Sequence, residues 1–518
     1  MAVSVNPLIF EQFKGIREYN GVNAGGQISA LDTYNVELVQ TEIGASVGIK
    51  TMKGNALAYI LDEGYSVIEI FKSVQDGITY KFIYAENDSK GVLYYVDVTD
   101  SLQVVIDNLT VTGQANGITM SSTAYDVFVF TNGLEAKTVC FTSDIAYGDS
   151  VKTITATDYL GRNIHWLSMT EWNGFLVVAS EYGVHASHQN DIYTWNDNPE
   201  DVADSWYIDF SKKVTAVFSY TGGLYIFTGD DVTYINTTPN DTANAKQELI
   251  AGVGCYNYQS IVKHDTFLYF YDNNQKNVYY IQNIDSGQTR PAGPIAKEIQ
   301  SYFSEIERFK MFSCIYGNRN EVWCIVNDEL LICDYAQGEW LKRKEQDINT
   351  VCLINNIVYT GTVNGEVLIE NIGNNFNSAF YPAMYQTTFI NIGSDSNIKK
   401  QKTPLLLVLK QGETQDFWVQ LTVNNKAKNP KRVKININGA HYVPEDATEG
   451  VRYVAADATE GARYASANPY AIKVVEISTP QTWYNLGIKI YTDRAGQGFY
   501  ITSMELKNIK EKTKTRGR

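Results

Sequence analysis

The chain has 518 residues, of which 44% are hydrophobic and 13% aromatic, and it contains 36 tyrosines. This composition excludes a disordered chain and provides enough apolar surface for two or three domains or one large repeat array. The formal net charge of −15 argues against a conventional DNA- or RNA-binding protein.

The sequence gives no sign of membrane insertion or secretion. Its densest apolar run, TPLLLVLK (403–410), is far shorter than the roughly 18–20 residues of a spanning helix. The first residues, MAVSVNPLIFEQFKG, lack the basic and apolar regions of a signal peptide. We therefore expect folding in a cytosol, where cysteines stay reduced. Six cysteines occur in apolar contexts without zinc-ligand spacing and are predicted to be buried thiols: Cys140, Cys255, Cys314, Cys324, Cys333 and Cys352.

Charge is unevenly distributed along the chain. Residues 397–434 carry nine Lys and Arg against Glu413 and Asp416, a net of +7. Residues 507–518 carry six Lys and Arg against one acidic residue, Glu511, a net charge of +5. Subtracting this total of 12 from −15 leaves −27 for the remaining residues. The pattern predicts an acidic body with a basic C-terminal part.

After an N-terminal arm at 1–44, residues 45–375 repeat one pattern. The stretch WNGFLVVASEYGVHASHQNDIYTW (172–195) alternates apolar and polar residues around an Asn-Gly turn, which predicts a hairpin. Equivalent second strands begin 49, 44, 54 and 35 residues apart, at Phe175, Leu224, Leu268, Val322 and Ile357. Short antiparallel strands at this period predict a β-propeller of six or seven blades.

The polar residues of 172–195 also raise the question of a binding or catalytic site. SHQNDIYTW (187–195) weakly resembles the Asp-box of sialidase-type propellers, but the glycine of that turn is missing. We interpret His165, His185 and His188 as parts of a blade, and we predict that Trp195 packs between blades.

Residues 376–506 have a different sequence pattern from the repeats before them. Seven alternating runs separated by polar or Gly turns, among them DFWVQLTVN and GFYITSMELK, predict a C-terminal β-sandwich. An inserted loop is expected near 440–468, where DATEGVRY (446–453) returns as DATEGARY (457–464). The eleven-residue spacing puts equivalent residues on opposite faces of one strand, so we expect an exposed loop and not a sheet repeat. The alternative for this duplication is a loop that lines a pore or contacts a partner. Residues 507–518 are predicted to form a basic flexible tail.

No enzyme motif is present. The sequence contains no P-loop, no GxGxxG after a strand, no HExxH and no GxSxG. Carboxylates are plentiful, but their spacing singles out no pair for glycoside hydrolysis. We predict no catalytic, cofactor-binding or metal-binding residues and no enzymatic activity.

The order of these motifs resembles the tail hub or nozzle proteins of short-tailed bacteriophages, also called stabilisation proteins or B-type tail tubular proteins. The resemblance runs from about Phe13 to the C-terminus. It is carried by FKGIREYNGVNAGGQ (13–27), GVGCYNYQSIVKHDTFLYFY (252–271), GPIAKEIQSYF (293–303), ELLICDYAQGEW (329–340) and GQGFYITSMELKNI (496–509). The duplication at 446–464 lies outside this pattern.

The resemblance implies a homo-oligomeric ring, expected to have six copies, at the distal end of a short tail tube. Such a ring attaches to the adaptor or connector proteins of the portal and to tail fibres or appendages, and it meets the host envelope at the tail tip. It seals packaged viral DNA and conducts it during ejection, without sequence specificity. The implied location is the virion tail, after synthesis in the host cytoplasm, and no cofactor is implied.

The basic segment then becomes a candidate for docking acidic surfaces of neighbours, through Lys399, Lys400, Lys402, Lys428, Lys431, Arg432 and Lys434. A solvated loop face is the structural alternative. Two other functions stay open: a receptor- or glycan-binding propeller on a tail tip or cell envelope, and a glycan-cleaving propeller.

Overall fold

The protein is described by a computed structural model. The described residues are 3–4, 8–17, 27–41, 46–96, 99–121, 126–141, 151–157, 162–195, 202–240, 247–282, 292–317, 319–334, 338–344, 347–373, 379–391, 397–401, 405–410, 414–434, 441–443, 451–452, 463–465, 472–478, 483, 485–495, 497–506 and 509–513. The chain divides into two compact units. The propeller unit contains Asn55–Gly338 and Gln346–Ile372, and the curled-sheet unit contains Met1–Gly54, Glu339–Glu345 and Gly373–Arg518.

Seven blades form the propeller unit, with strands numbered in chain order. Blade 1 has β8 (Ser66–Gln75), β9 (Ile78–Glu86), β10 (Gly91–Val96) and β11 (Leu102–Leu109). Blade 2 has β12 (Asn116–Ser121), β13 (Asp126–Thr131), β14 (Ala136–Val139) and β15 (Val151–Thr153). Blade 3 has β16 (Ser168–Trp172), β17 (Phe175–Ala179), β18 (Gly183–Ala186) and β19 (Trp206–Asp209). Blade 4 has β20 (Val214–Tyr220), β21 (Gly223–Thr228), β22 (Asp231–Ile235) and β23 (Gln247–Ala251).

The remaining blades follow the same order. A 3-10 helix, η1 (Tyr258–Ser260), precedes blade 5, which has β24 (Ile261–His264), β25 (Phe267–Asp272) and β26 (Asn277–Gln282). A second, η2 (Lys297–Phe303), precedes blade 6, whose strands in this unit are β27 (Phe309–Tyr316), β28 (Arg319–Val326) and β29 (Glu329–Asp334). Blade 7 has β31 (Ile348–Ile354), β32 (Ile357–Thr362), β33 (Glu366–Glu370) and β7 (Asn55–Ile60). All five predicted second-strand positions lie on the second strand of a blade.

Tight turns connect the first two strands of several blades. Asn173 and Gly174 have φ of 53° and 82° between the paired residues Trp172 and Phe175. Positive φ at both central residues defines the type I′ turn, whose twist matches that of antiparallel strands. The same arrangement occurs at Asp76–Gly77, Thr221–Gly222 and Asn355–Asn356. The hairpin predicted from Asn-Gly is therefore confirmed.

The propeller closes by pairing its two ends. Strand β7 comes first in this unit, yet it pairs antiparallel with β33, the last strand, from Asn55↔Glu370 to Ile60↔Glu366. The Asn55 side-chain amide also donates to Glu370 Oε1 at 3.1 Å. Closure supplies the last blade with its outer strand and joins chain segments about 300 residues apart.

Apolar clusters lie between neighbouring blades. Trp172 and Trp206 meet edge to face at 5.9 Å in the cluster shared by blades 3 and 4. The Trp172 indole donates to Gly222 O of blade 4 at 3.1 Å. Trp195 packs beside Trp166 in the cluster shared by blades 2 and 3, so its predicted position between blades is confirmed. Each such buried aromatic stabilises the ring by roughly 2–3 kcal/mol through burial alone.

The curled-sheet unit is built on one 14-stranded sheet. Ten strands form its main path. In spatial order they are β39 (Lys426–Ala427), β38 (Phe417–Val423), β45 (Asn485–Tyr491), β34 (Met384–Thr387), β4 (Gln27–Tyr34), β3 (Gln12–Ile16), β6 (Val47–Thr51), β46 (Tyr500–Leu506), β37 (Leu405–Lys410) and β44 (Ile472–Ile477). Four strands pair beside this path: β2 (Leu8–Phe10), β5 (Val36–Gln40), β35 (Ile390–Asn391) and β40 (Lys431–Val433). Every strand of this path except β39 contributes to one apolar core, so the sheet curls around that core as a half-barrel. The all-β class with a propeller and a second β domain is confirmed.

Strands from both ends of the sequence meet in this sheet. Strand β3 pairs with β4 in parallel, Phe13 opposite Ile28, and β4 pairs with β34 antiparallel. Strand β30 (Glu339–Arg343) joins the same unit, where Glu339 accepts from Gly15 N at 2.9 Å and pairs with Arg17 at 2.7 Å. A Cβ at position 15 would lie 2.3 Å from Trp340 O, so only glycine permits this approach.

Two small sheets complete the unit. The first has the order β1 (Val3–Ser4), β47 (Ile509–Thr513), β36 (Asn397–Gln401). The second has the order β41 (His441–Val443), β43 (Arg463–Ala465), β42 (Val451–Arg452). In it Arg452 of the first DATEG repeat pairs directly with its equivalent, Arg463. The expectation that the duplication forms no sheet repeat is wrong here, because the chain reverses between the copies and antiparallel pairing decides which residues are opposite.

Candidate functional site

Four of the seven predicted docking residues lie together in the curled-sheet unit. Lys431 and Arg432 are in β40, with Lys428 just before and Lys434 just after it, and all four are exposed. We call 426–434 the basic ribbon. Lys399 and Lys400 are instead in β36, opposite Glu511 and Lys510 of β47, and Lys402 lies outside the described residues. The structure therefore gathers the second half of the predicted set; its docking role stays a prediction.

Backbone contacts hold the basic ribbon against β38. Lys428 N donates to Leu421 O at 2.8 Å, and the Gln420 side chain donates to Lys428 O at 3.0 Å. The Arg432 guanidinium forms an ion pair with Asp416. Among the described residues, the ammonium groups of Lys428 and Lys431 form no ion pair. Within the described residues, the ribbon thus presents two lysines without a counter-charge on a fixed backbone.

A cavity of about 250 Å³ opens beside the basic ribbon, between the two ends of the curled sheet. Val419 and Leu421 of β38 line it on one side, and Ile477 of β44 lines it on the other, while Lys428 and Lys431 stand at its rim. Strand β44 ends the sheet path and pairs only with β37 within the described part of the chain. Since a strand's backbone groups alternate between its two sides, the groups on the outer side of β44 have no strand partner among the described residues.

The axis of the propeller unit is occupied by its own chain. First strands of neighbouring blades contact one another around the axis, and between blades 4 and 5 it is η1 that contacts β20. From its place before blade 5, Tyr258 Oη donates to Ala115 O at 3.0 Å and accepts from Ala115 N at 3.1 Å, directly before blade 2. Gln259 reaches Glu69 of blade 1 at 3.5 Å. Burial raises the pKa of Tyr258 well above its ordinary value. Helix η1 therefore crosses the channel and plugs it.

A buried ion pair lies under this plug. Lys310 of blade 6 places Nζ 3.3 Å from Glu69 Oε2 and donates to Ile68 O at 2.9 Å. The Thr350 hydroxyl of blade 7 donates to the same carboxylate. Burial lowers the pKa of Lys310, against the opposing attraction of Glu69. Three blades are thus joined at the axis through one carboxylate.

A cavity of about 290 Å³ remains beside the plug at the channel mouth. The first strands of blades 2, 3 and 4 begin at its wall, which is completed by the segment before blade 5. Its lining comprises Gln114, Leu167, Lys213, Val214, Thr215, Tyr256, Asn257, Tyr258 and Gln259. Sequence reasoning missed this site, since GVGCYNYQS (252–260) entered it only within a stretch that resembles tail hub proteins. Two tyrosines and two amides in one turn were the available signal.

The polar stretch 172–195 forms no comparable site. The Ser180 hydroxyl donates to Gly183 O at 3.1 Å and lies 3.3 Å from His185 Nε2, which closes a turn inside blade 3. Asp191 accepts from Tyr193 N and from the Thr194 hydroxyl, so it caps a turn. His188 faces Asp204 at 3.8 Å. These contacts agree with the structural interpretation of the stretch.

The described residues were compared with the requirements of a metal site, a disulfide and a membrane-spanning helix. They include no group of three or more His, Cys, Asp and Glu side chains placed to hold a metal ion. All six cysteines are among the described residues, none of them forms a disulfide there, and four of them are buried. Over the same residues, no helix has the length and apolar character to cross a membrane.

Comparisons with known proteins give the following. No family model matches the chain, and no curated protein matches it. Virginiamycin B lyase from Staphylococcus aureus aligns at 10% identity and TM-score 0.37, over 61% of this chain and 97% of that one. The designed protein Ika8 aligns at 10% identity and TM-score 0.37, over 61% of this chain and 100% of that one. BamB from Moraxella catarrhalis aligns at 10% identity and TM-score 0.35, over 72% of this chain and 98% of that one. At these values the likenesses carry no information about activity or partners.

Proposed function

We propose that this chain is a structural protein of a short phage tail, forming the distal ring that seals packaged DNA and conducts it during ejection. The observation that carries the proposal is the basic ribbon, exposed on a chain that is otherwise strongly acidic and close to β44, whose outer edge has no strand partner among the described residues. The sequence resemblance to tail hub proteins supports the same role. The proposal places the protein in the virion tail, after assembly in the host cytoplasm, and includes no catalysis.

Charge distribution favours a ring of identical copies. A cyclic ring needs two different surfaces on each copy, because each contact joins unlike patches of neighbouring molecules. The basic ribbon is one such patch, and the remainder of the chain, with a net charge of −27 after both basic segments are subtracted, provides the other. Electrostatic complementarity of this kind sets the register and speeds association. Adaptor proteins and tail appendages with acidic surfaces could use the same ribbon.

An acidic body also suits a conduit for DNA. The duplex carries one negative charge per roughly 1.7 Å of its axis, so a basic lumen would hold it through many phosphate contacts. An acidic lumen repels the duplex at close range, within about 8 Å at physiological salt. We propose that this repulsion centres the DNA without stopping it.

The test is the oligomeric mass of the full chain by light scattering, alone and with the tail adaptor. We expect a ring near six copies, formed alone or only with the adaptor. Lys428→Glu with Lys431→Glu should prevent ring formation, because both changes reverse a positive charge in the basic ribbon. Lys263→Glu with Lys297→Glu is the matched control, since it changes charge equally at exposed sites of the propeller unit and should leave the ring intact. A persistent monomer absent from virion tails would refute the proposal, and equal effects of both pairs would refute the docking role of the ribbon.

A receptor- or glycan-binding propeller is the second candidate function. The specific observation in its favour is the open cavity at the channel mouth, where the polar side chains of several blades converge. Clefts with a few convergent polar groups are the usual form of small-ligand sites.

A further inference from the structure

The outer strand of blade 7 exposes apolar side chains beside two carboxylates. Ile60, the last residue of β7, is 64% exposed, the highest value among the exposed large apolar side chains of the described residues. Leu57 of the same strand is 45% exposed. Asp62 and Glu63 follow the strand, both are exposed, and neither forms an ion pair within the described part of the chain. We call 57–63 the acidic rim.

A β-bulge brings the two apolar side chains of the acidic rim to the same face. Leu57 pairs with Leu368, Tyr59 pairs with Val367 and Ile60 pairs with Glu366, so β7 contains one residue more than β33 over this length. Paired residues share a face of a sheet, and residues two apart on β33 lie on the same face. Leu57 and Ile60 therefore share a face, although three positions separate them in the sequence.

Backbone and side-chain contacts fix the acidic rim. Leu61 N donates to Gly365 O at 2.9 Å, and Tyr65 N donates to Asp62 O at 3.3 Å, which closes the turn that carries both carboxylates. Lys81 of blade 1 donates to Tyr59 Oη at 2.6 Å and so ties the strand to the next blade. A surface fixed in this way loses little conformational entropy when it binds a partner.

The basic ribbon and its cavity have the complementary character. The cavity of about 250 Å³ has Val419, Leu421 and Ile477 in its wall, and the ammonium groups of Lys428 and Lys431 stand at its rim. An apolar side chain placed over this cavity, followed by two carboxylates, would meet apolar atoms first and the two lysines beside them. The acidic rim has this order of groups, and its two carboxylates match the two lysines in number and in sign.

We propose that the acidic rim of one copy of this chain docks on the basic ribbon of the next copy, with Ile60 over the cavity and Asp62 and Glu63 beside Lys428 and Lys431. This inference rests on the proposed function, because it names the second of the two unlike patches that a cyclic ring requires. A second copy is the favoured occupant, since both complementary patches lie on the same chain. Each copy then gives one patch and receives the other.

An exchange of charges tests the contact. Asp62→Lys with Glu63→Lys should prevent ring formation in the full chain, as should Lys428→Glu with Lys431→Glu, because each pair places like charges opposite each other. The chain that carries all four substitutions should form the ring again, since the attraction returns with its signs reversed. Light scattering measures the oligomeric mass of all three variants. A quadruple variant that stays monomeric while the unsubstituted chain forms a ring contradicts the contact.

Two matched controls accompany this test. Glu305→Lys with Glu307→Lys makes the same charge change at exposed sites elsewhere in the propeller unit, and it should neither prevent the ring nor restore it in the ribbon variant. Ile60→Ser should weaken association between copies roughly ten-fold, as expected when most of an aliphatic side chain is no longer buried. Leu134→Ser, at a side chain 55% exposed in blade 2, should leave association unchanged.

A cysteine pair separates this inference from the ring itself. Ser478 lines the cavity and is exposed. Chains with Ile60→Cys mixed with chains with Ser478→Cys should give a disulfide-linked dimer under a mild oxidant, whereas Leu134→Cys with Ser478→Cys should not.

The outcomes distinguish the two proposals. A ring without this link, and without rescue by the charge exchange, overturns the contact and leaves the tail proposal standing, with the adaptor or another surface on the ribbon. The link without a ring keeps the contact and refutes the ring. Absence of both overturns both.

Discussion

The two units of the chain solve the problem of open sheet edges differently. The propeller unit closes on itself, since β7 pairs with β33 and η1 fills the axis. The curled sheet stays open in its described residues, because its path ends at β39 and β44 and a cavity lies between β38 and β44. Closed edges favour a stable monomeric body, whereas an open edge with a basic rim is suited to a partner. The propeller unit therefore supplies the closed body, and the proposed docking role falls on the curled-sheet unit.

The largest expected effect comes from breaking the axis of the propeller unit. Lys310→Met leaves the Glu69 carboxylate buried without its cation, and removal of one partner of a buried ion pair costs roughly 3–5 kcal/mol. Hydrogen exchange should show lost protection in blades 1, 6 and 7, with the strands of the curled sheet still protected.

The double variant Lys310→Met with Glu69→Gln is the control for this prediction. It removes both charges and should recover most of the stability, because the desolvation cost of the carboxylate disappears with it. Equal protection loss in the two units would contradict the separation of roles.

The strands of the propeller unit could be predicted from the sequence because their signals are local. Asn173–Gly174 lies between two alternating runs, so the turn and both strands follow from a few neighbouring residues. Individual strands of the curled sheet could also be predicted from local alternation, as in DFWVQLTVN, which contains β38. Their partners were not, because β4 pairs with β34 some 350 residues away and no local pattern specifies that register.

The candidate sites divide in the same way. A count of charges was enough to find Lys428, Lys431, Arg432 and Lys434, since uncompensated lysines on a strand edge need no partner to be recognised. The plug was missed, because Tyr258 takes its role from Ala115, 143 positions earlier. A turn that crosses a channel and a turn that faces solvent have the same local composition.

Alkaline pH should destabilise the propeller unit more than the curled-sheet unit, because all six cysteines belong to the propeller unit. Burial raises the pKa of the Cys255 thiol to about 12. In the unfolded chain this thiol ionises near pH 9, so between about pH 9 and 12 the native state holds the extra proton. Stability therefore falls as pH rises through this window, by about 1.4 kcal/mol per pH unit for this group.

Calorimetry from pH 8 to 11 measures this loss, and Cys255→Ala should reduce its slope. An unchanged slope in that variant would mean that Cys255 does not ionise on unfolding. The curled sheet, without a cysteine, should show a shallower dependence, carried by groups such as Tyr381, whose pKa burial raises to about 12.

The smallest expected effect on stability lies in the basic ribbon. Arg432 pairs with Asp416, and both side chains are partly exposed, so the ion pair contributes at most about 1 kcal/mol. Arg432→Gln should hardly change the melting temperature, yet it removes a positive charge from the basic ribbon. If docking is the work of this ribbon, ring assembly should weaken and depend less on salt while stability stays constant. Light scattering at two salt concentrations, beside a melting curve, separates these effects. A fall in stability with unchanged assembly would instead make the ribbon a structural part of the sheet and leave the open edge without its proposed partner.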